Sequence, residues 1–186
     1  MQPTAEAVLP LLTGRLGTPY RFVEECPSTQ QLIAADAAEG ETVVADHQTA
    51  GRGRLGRDWI DEPGSSVLMS VCLRPQVEPA RLPELTVVAA GAVAEAIGAE
   101  TELETTVKHP NDVLVGGRKT AGILAEASDG RVVVGIGVNV AQRSFPPDTR
   151  LPATSLELET GRQVDRARLT AGILNRLGPA IDEWAR

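Results

Sequence analysis

The sequence predicts an α+β fold, a mainly antiparallel mixed sheet flanked by helices, and three observations carry that prediction. Strand-like runs lie on either side of Pro110-Asn111-Asp112, and tight turns follow at Gly116-Gly117 and Asp129-Gly130, which together make an antiparallel meander. Two apolar stripes at helical spacing stand outside that meander: Leu82, Leu85, Val88, Ala89, Ala92, Val93 and Ala96, then Leu169, Ile173, Leu174, Leu177 and Ile181. Ahead of both, the run SSVLMSVCL, residues 65–73, is dense enough in apolar residues to sit centrally in a sheet. Consecutive hairpins beside separate helices exclude the strand-helix alternation of a doubly wound sheet. With 186 residues, 42% of them hydrophobic, the chain buries one core and is read as one domain, 1–186.

The remaining elements follow in order. Residues 4–16 place Ala7, Val8, Leu11, Leu12 and Leu16 at helical spacing, with Thr4 as cap and Gly17 as stop. Residues 20–25 alternate as a strand and run into Pro27-Ser28-Thr29-Gln30, after which Leu32, Ile33, Ala34 and Ala37 resume a helical period. Ser28 and Thr29 therefore stand at a strand-to-helix junction, where hydroxyls cap a helix or meet a ligand. Residues 42–46 form a β-branched strand that delivers Gln48. The helix over 82–97 stops at Gly98, residues 143–152 with Pro146-Pro147 form a loop able to order on a ligand, residues 154–156 start a short element, and 166–184 form the last helix.

Charge and cysteine use exclude several functions. A formal net charge of -7 repels nucleic acid and anionic lipid, so neither is an expected partner. Cys26 and Cys72 lie far apart without C-x-x-C spacing and read as buried strand residues, not as a disulfide framework or zinc site. No apolar run approaches membrane-spanning length and no secretory leader is visible, so a cytoplasmic location is expected.

Chemistry concentrates in residues 48–59, QTAGRGRLGRDW. Gly51, Gly53 and Gly56 let backbone amides approach a ligand, while Arg52, Arg54 and Arg57 supply permanently charged forked donors for carboxylate and phosphate. The same letters satisfy G-x-G-x-x-G, but a dinucleotide fingerprint needs a helix to open at the glycines, and Asp58 to Gly64 carries a proline and no helical period. A solvated surface loop is the bland alternative.

Further along, Asn111 and Asp112 are turn formers or a ligand-facing amide and carboxylate, and Lys119 is a solvated hairpin lysine or a functional cation. Gly135 and Gly137 weaken a strand unless something approaches that face closely, and Asn139 ends the strand. Cations for phosphates, a carboxylate for magnesium and close backbone approach to a flat ligand are the parts needed to form an acyl-adenylate from a carboxylic acid and ATP.

The runs GRGRLGR with Trp59, KHPNDV, KTAGIL and GIGVNV, in that order, resemble the catalytic domain of bacterial biotin protein ligases (biotin-[acetyl-CoA-carboxylase] ligases) of the biotin/lipoate protein ligase superfamily. The likeness runs from about Tyr20 to Leu156. It implies a class II aminoacyl-tRNA synthetase-like fold, synthesis of biotinyl-5′-AMP from biotin and MgATP, and transfer of biotin to a lysine of the biotin carboxyl carrier domain of acetyl-CoA carboxylase or a related enzyme. A homodimer is an assembly it allows.

By matching position, the resemblance implies that Ser28, Thr29 and Gln48 bind the ureido ring and that Gly51, Gly122, Gly135 and Gly137 shape a slot for biotin, which Trp59 helps to close. Arg52 meets the biotin carboxylate and then the adenylate phosphate; Arg54 and Arg57 hold the ATP phosphates. Lys119 stabilises charge between carboxylate and α-phosphate. Asp112 takes part in magnesium binding and orients or deprotonates the acceptor lysine, with Asn111 and Asn139 on the nucleotide side. Residues 143–152 fall where the family has an adenylate-covering loop.

The sequence departs from the family at His109, where tryptophan is usual. The chain is expected to be the catalytic domain alone, without an N-terminal winged helix or a C-terminal SH3-like domain. Two rival functions stay open: a lipoate or octanoyl protein ligase or transferase, and a non-catalytic biotin-binding domain.

Overall fold

The computed structural model describes residues 1–146 and 151–186. Seven strands form the main sheet: β1 (Tyr20–Cys26), β2 (Thr42–Gln48), β5 (Ser66–Leu73), β6 (Thr105–Lys108), β7 (Asp112–Val115), β8 (Arg118–Ser128) and β9 (Arg131–Asn139), ordered β1-β2-β5-β9-β8-β7-β6. Only β1 and β2 pair in parallel; every other neighbouring pair is antiparallel. The turns read from Pro110-Asn111-Asp112, Gly116-Gly117 and Asp129-Gly130 join β6 through β9 as the meander requires. Asp129, Gly130, Gly116 and Gly117 all take positive φ, the backbone twist that tight hairpin turns need. A separate two-stranded ribbon, β3 (Gly51–Arg52) with β4 (Asp58–Trp59), rises between β2 and β5.

Strand alternation decides which face is which. Val132, Val134, Ile136 and Val138 of β9 join Val67, Met69, Val71 and Leu73 of β5 in the main core, under α2 (Glu84–Thr101) and α4 (Arg166–Trp184). From α4, Leu169, Ile173, Leu174, Leu177 and Ile181 are all buried there, as their spacing predicts. Each such side chain contributes about 1.5–3 kcal/mol of transfer free energy. The short helix α3 (Leu156–Thr160) precedes α4, which Asp165 caps by accepting from the amides of Ala167 and Arg168. On the other face Val133 and Cys72 join a smaller cluster with Ile33, Ala37 and Val43, and both cysteines are buried and unpaired.

Three local expectations are corrected. The helix expected over 4–16 is only α1 (Ala5–Val8) followed by a 3₁₀ turn at Leu9–Leu11, because Pro10 has no amide to donate and its ring opposes a continuing helix; Thr4 makes no capping bond. The helix expected around residues 32–37 is a 3₁₀ turn at Thr29–Leu32 that goes no further. Its carbonyls are taken by arginines from elsewhere: Arg21 donates to Leu32, Arg131 to Ile33 and Ala34, and Arg74 to Ala35 and Ala37. A chain whose carbonyls accept from distant guanidinium groups has no need of internal helical bonds. Gly98 does not stop α2, which continues to Thr101 and ends at Glu102 in the left-handed region.

Candidate active site

The side chains that β5, β8 and β9 turn away from the helices line a cavity of about 690 Å³, in the size range of small-molecule and cofactor sites. The β3–β4 ribbon forms its roof. Gly53 donates to the Arg57 carbonyl at 2.7 Å, which closes the ribbon, and Leu55 at its tip adopts φ 61 and is 86% exposed. Of the residues singled out from the sequence, Ser28, Thr29, Gln48, Arg52, Arg54, Arg57 and Trp59 reach the cavity from one side. Asn111, Asp112, Lys119, Gly122, Gly135, Gly137 and Asn139 reach it from the other. Gly51 alone does not line it.

The glycines leave room for protein groups. A Cβ on Gly137 would lie 2.6 Å from the Trp59 ring, and one on Gly51 would lie 2.6 Å from the Trp59 carbonyl oxygen. Gly122 leaves 3.1 Å to the same indole and 3.2 Å to the Lys119 ammonium, while Gly135 faces the Gln30 amide at 3.2 Å. The ribbon's tryptophan therefore rests on the sheet where the glycines stand, and its Nε1, buried and without a partner among the described residues, is free to donate.

Lys119 is held on several sides. Its Nζ lies 2.7 Å from Asp112 Oδ1 and 5.7 Å from the Trp59 ring centroid. Its backbone amide donates to Pro152 O at 2.8 Å, and its carbonyl accepts from Thr154 N at 2.9 Å. Asn139 Nδ2 donates to Thr154 O at 3.1 Å, so this asparagine anchors the same segment. Asn111 accepts from Arg54 at 3.1 Å, which ties the ribbon to the β6–β7 turn. Arg52 instead pairs with Glu126 at 3.0 Å, both side chains nearly half exposed, an arrangement that a carboxylate ligand can displace at little cost.

The opposite end of the cavity is polar and buried. Gln48 Oε1 accepts from the Thr29 amide at 2.8 Å and from its hydroxyl at 3.2 Å, and Thr29 Oγ1 lies 2.7 Å from Ser70 Oγ. Ser28 is 2% exposed and makes no capping bond, so its hydroxyl is not used in starting the 3₁₀ turn. Gln30 and Ser70 were not anticipated from the sequence. A serine at a fully buried position in the apolar run of β5 was the available signal, since a buried hydroxyl needs a partner.

Beneath the ribbon, Asp61 is buried beside His47, and desolvation pushes its carboxyl above the ordinary value, a rise moderated by hydrogen bonds from His47 and the Gln48 amide. Burial likewise raises the Cys26 thiol. Among the described residues no three His, Cys, Asp or Glu side chains come together to hold a metal. The cavity lining carries only two carboxylates among the described residues, Asp58 and Asp112, and so sparse a set fits a magnesium ion carried in on phosphates rather than one held in a protein cage.

Phe145, Pro146, Leu151 and Ala153 also line the cavity. Of the expected covering loop, residues 147–150 lie outside the described residues.

Residues 23–142 match the model of the Biotin/lipoate A/B protein ligase family. The chain belongs to that family. It is 42% identical over 175 residues to the bifunctional ligase/repressor BirA of Bacillus spizizenii, covering 88% of this chain and 54% of the relative. It is 38% identical over 172 residues to the biotin--[acetyl-CoA-carboxylase] ligase of Mycobacterium tuberculosis, covering 87% of this chain and 64% of that one. The chain thus spans between half and two thirds of the length of these relatives. Among solved structures it resembles the Aquifex aeolicus biotin protein ligase in complex with biotin and ATP, with TM-score 0.80 and 36% identity over 87% of this chain and 69% of that one. The Leishmania major biotin protein ligase in complex with biotinyl-5-AMP gives TM-score 0.77 and 26% identity, covering 89% and 76%. The fold is therefore the class II synthetase-like one of biotin protein ligases, and the dinucleotide alternative for the glycine-arginine segment is gone: those glycines open a β-ribbon, not a helix.

Proposed function

We propose that this chain activates biotin with ATP and passes the biotinyl group to a lysine of a carboxyl carrier domain. The observation that carries the reading is convergence: the Lys119 ammonium, the Asp112 carboxylate and three ribbon arginines meet one cavity whose other end offers hydroxyl and amide groups. That is the polarity of biotin, a neutral ureido ring at one end and a carboxylate at the other.

In this reading Ser28, Thr29 and Gln48 supply donors and acceptors to the ureido ring, and Trp59 with Gly122 and Gly137 borders the apolar middle. The biotin carboxylate draws Lys119 from Asp112 and Arg52 from Glu126. One carboxylate oxygen then attacks the α-phosphorus, a P–O bond forms, the bond to the β-phosphate oxygen breaks, and pyrophosphate leaves. Once drawn from Asp112, Lys119 stands beside both groups, and its charge offsets the negative charge as it shifts from carboxylate to phosphate. Arg54 and Arg57 offset the charge on the departing pyrophosphate, with Asn111 and Asn139 on the nucleotide side. Magnesium, held by the phosphates and Asp112, would supply further positive charge there.

In the second half-reaction Asp112 orients or deprotonates the acceptor amine. The amine nitrogen attacks the acyl carbon, an amide bond forms, and AMP leaves. The carrier of acetyl-CoA carboxylase is the partner we expect, with the reaction in the cytoplasm. The chain itself we take to be a catalytic domain.

The test is pyrophosphate release with MgATP and either biotin, lipoate, octanoate or no acid. Release with biotin alone, and a mass increase on one lysine of a purified carrier domain, is the expected result. Release with lipoate in preference to biotin assigns the chain to the rival acyl group, and heat of biotin binding without any adenylate makes it a binding domain.

A further inference from the structure

The ribbon leaves the sheet between β2 and β5, and its base is closed by groups that the proposed reaction does not use. Asp61 lies just after β4, its side chain fully buried, and its Oδ2 is 2.8 Å from His47 Nδ1 on β2. The same oxygen accepts from the Gln48 amide at 3.5 Å, and Gly64 N donates to Asp46 O at 3.3 Å one step further down. Among the described residues Asp61 Oδ1 has no partner. A buried carboxylate half-satisfied in this way is costly, so its position depends on the partners it does have.

Those partners lead into the cavity. Gln48, whose amide meets Asp61, directs its side-chain oxygen to Thr29, and Thr29 meets Ser70. On β4 of the ribbon Trp59, two residues before Asp61, places its indole over Gly137. We propose that His47 and Asp61 are a positioning pair for the ligase site: by clamping the base of the ribbon they fix Gln48 at the ureido end and Trp59 over the glycine strand. Neither touches the reacting atoms. The inference rests on the biotin reading of the cavity for its functional consequence, though not for its structural one.

The effect is expected mainly in acid binding: the groups nearest the clamp, Gln48 and Trp59, border the acid, whereas Lys119 and Asp112 sit on β8 and β7, and Arg52 and Arg54 of the ribbon are held from the sheet side by Glu126 and Asn111. His47→Leu removes the ring donor; His47→Asn keeps an N–H near the position of Nδ1. Loss of one partner of a buried charged group is expected to raise the KM for biotin about ten-fold in His47→Leu, with kcat changed less than about two-fold and His47→Asn recovering most of the loss. In a Trp184→Phe background the remaining tryptophan, Trp59, should become more accessible to acrylamide in His47→Leu and return toward the parent value in His47→Asn.

A KM within about two-fold of the parent in His47→Leu, with Trp59 equally shielded, overturns the proposal. So does a loss that scales with melting temperature and is not recovered by His47→Asn, since that marks a merely structural pair. If the parent turns over no biotin, the ligase reading fails, and the quenching measurement alone decides the clamp.

Discussion

The two faces of one strand divide the molecule's labour. Along β9, Val132, Val134, Ile136 and Val138 face the helices and are filled by volume, whereas Gly135, Gly137 and Asn139 face the cavity and are defined by what stands over them. On the helix face almost any apolar residue of the right size serves, and errors cost stability. On the cavity face the absence of a side chain is the feature, because Trp59 and Gln30 take that space, and errors cost function with little loss of fold. Substitutions separate the two faces.

The largest effect is expected at Lys119. Lys119→Ala removes a fixed charge from the point where phosphate and carboxylate meet, and adenylate formation should fall by about 10²–10³-fold, read by pyrophosphate release, with the melting temperature nearly unchanged. On the other face Ile173→Ala should lower unfolding free energy by about 2–5 kcal/mol in denaturant titration, while activity per folded molecule stays at the parent level. Gly137→Ala puts a methyl into the Trp59 ring; overpacking of this kind costs about 1–3 kcal/mol, and here the ribbon can move, so the expected sign is weaker biotin binding by calorimetry rather than unfolding.

A pH series sharpens the contrast further. Desolvation raises the Asp61 carboxyl above its ordinary 3.8, with Asp46 nearby adding to the rise and His47 and the Gln48 amide opposing it. The folded state therefore binds that proton more tightly than the unfolded one, and the associated stability, complete below the ordinary value, is lost as pH rises through the folded value. Asp61→Asn does not titrate, so its melting temperature relative to the parent should climb over that interval; a constant difference contradicts the assignment. The smallest effect is expected for Glu126→Ala, whose exposed pair with Arg52 is worth about 0–1 kcal/mol and should leave the melting temperature almost still.

How much of this was legible follows the same division. The meander, α4 with its bounds, and the central strand of residues 66–73 were readable because periodicity and turn residues act locally. The segment after Thr29 was not, because three arginines remote in sequence take its carbonyls, and α1 was over-extended where Pro10 outweighs an apolar spacing. At the site, the glycine-arginine run, Asp112, Lys119 and Asn139 announced themselves by residue type. The Trp59–Gly137 contact did not, since nothing in strand spacing says which indole will lie over a glycine 78 positions on. Nor did the His47–Asp61 clamp, whose members are ordinary polar residues until the ribbon folds back.

The central claim is that the ribbon's arginines and Lys119 share one cavity able to hold a vitamin carboxylate against an α-phosphate. Native mass spectrometry after incubation with biotin and MgATP tests it most directly. The account predicts a parent chain carrying one biotinyl-5′-AMP and a Lys119→Ala chain carrying none; an adenylate on both chains, or on neither, contradicts it.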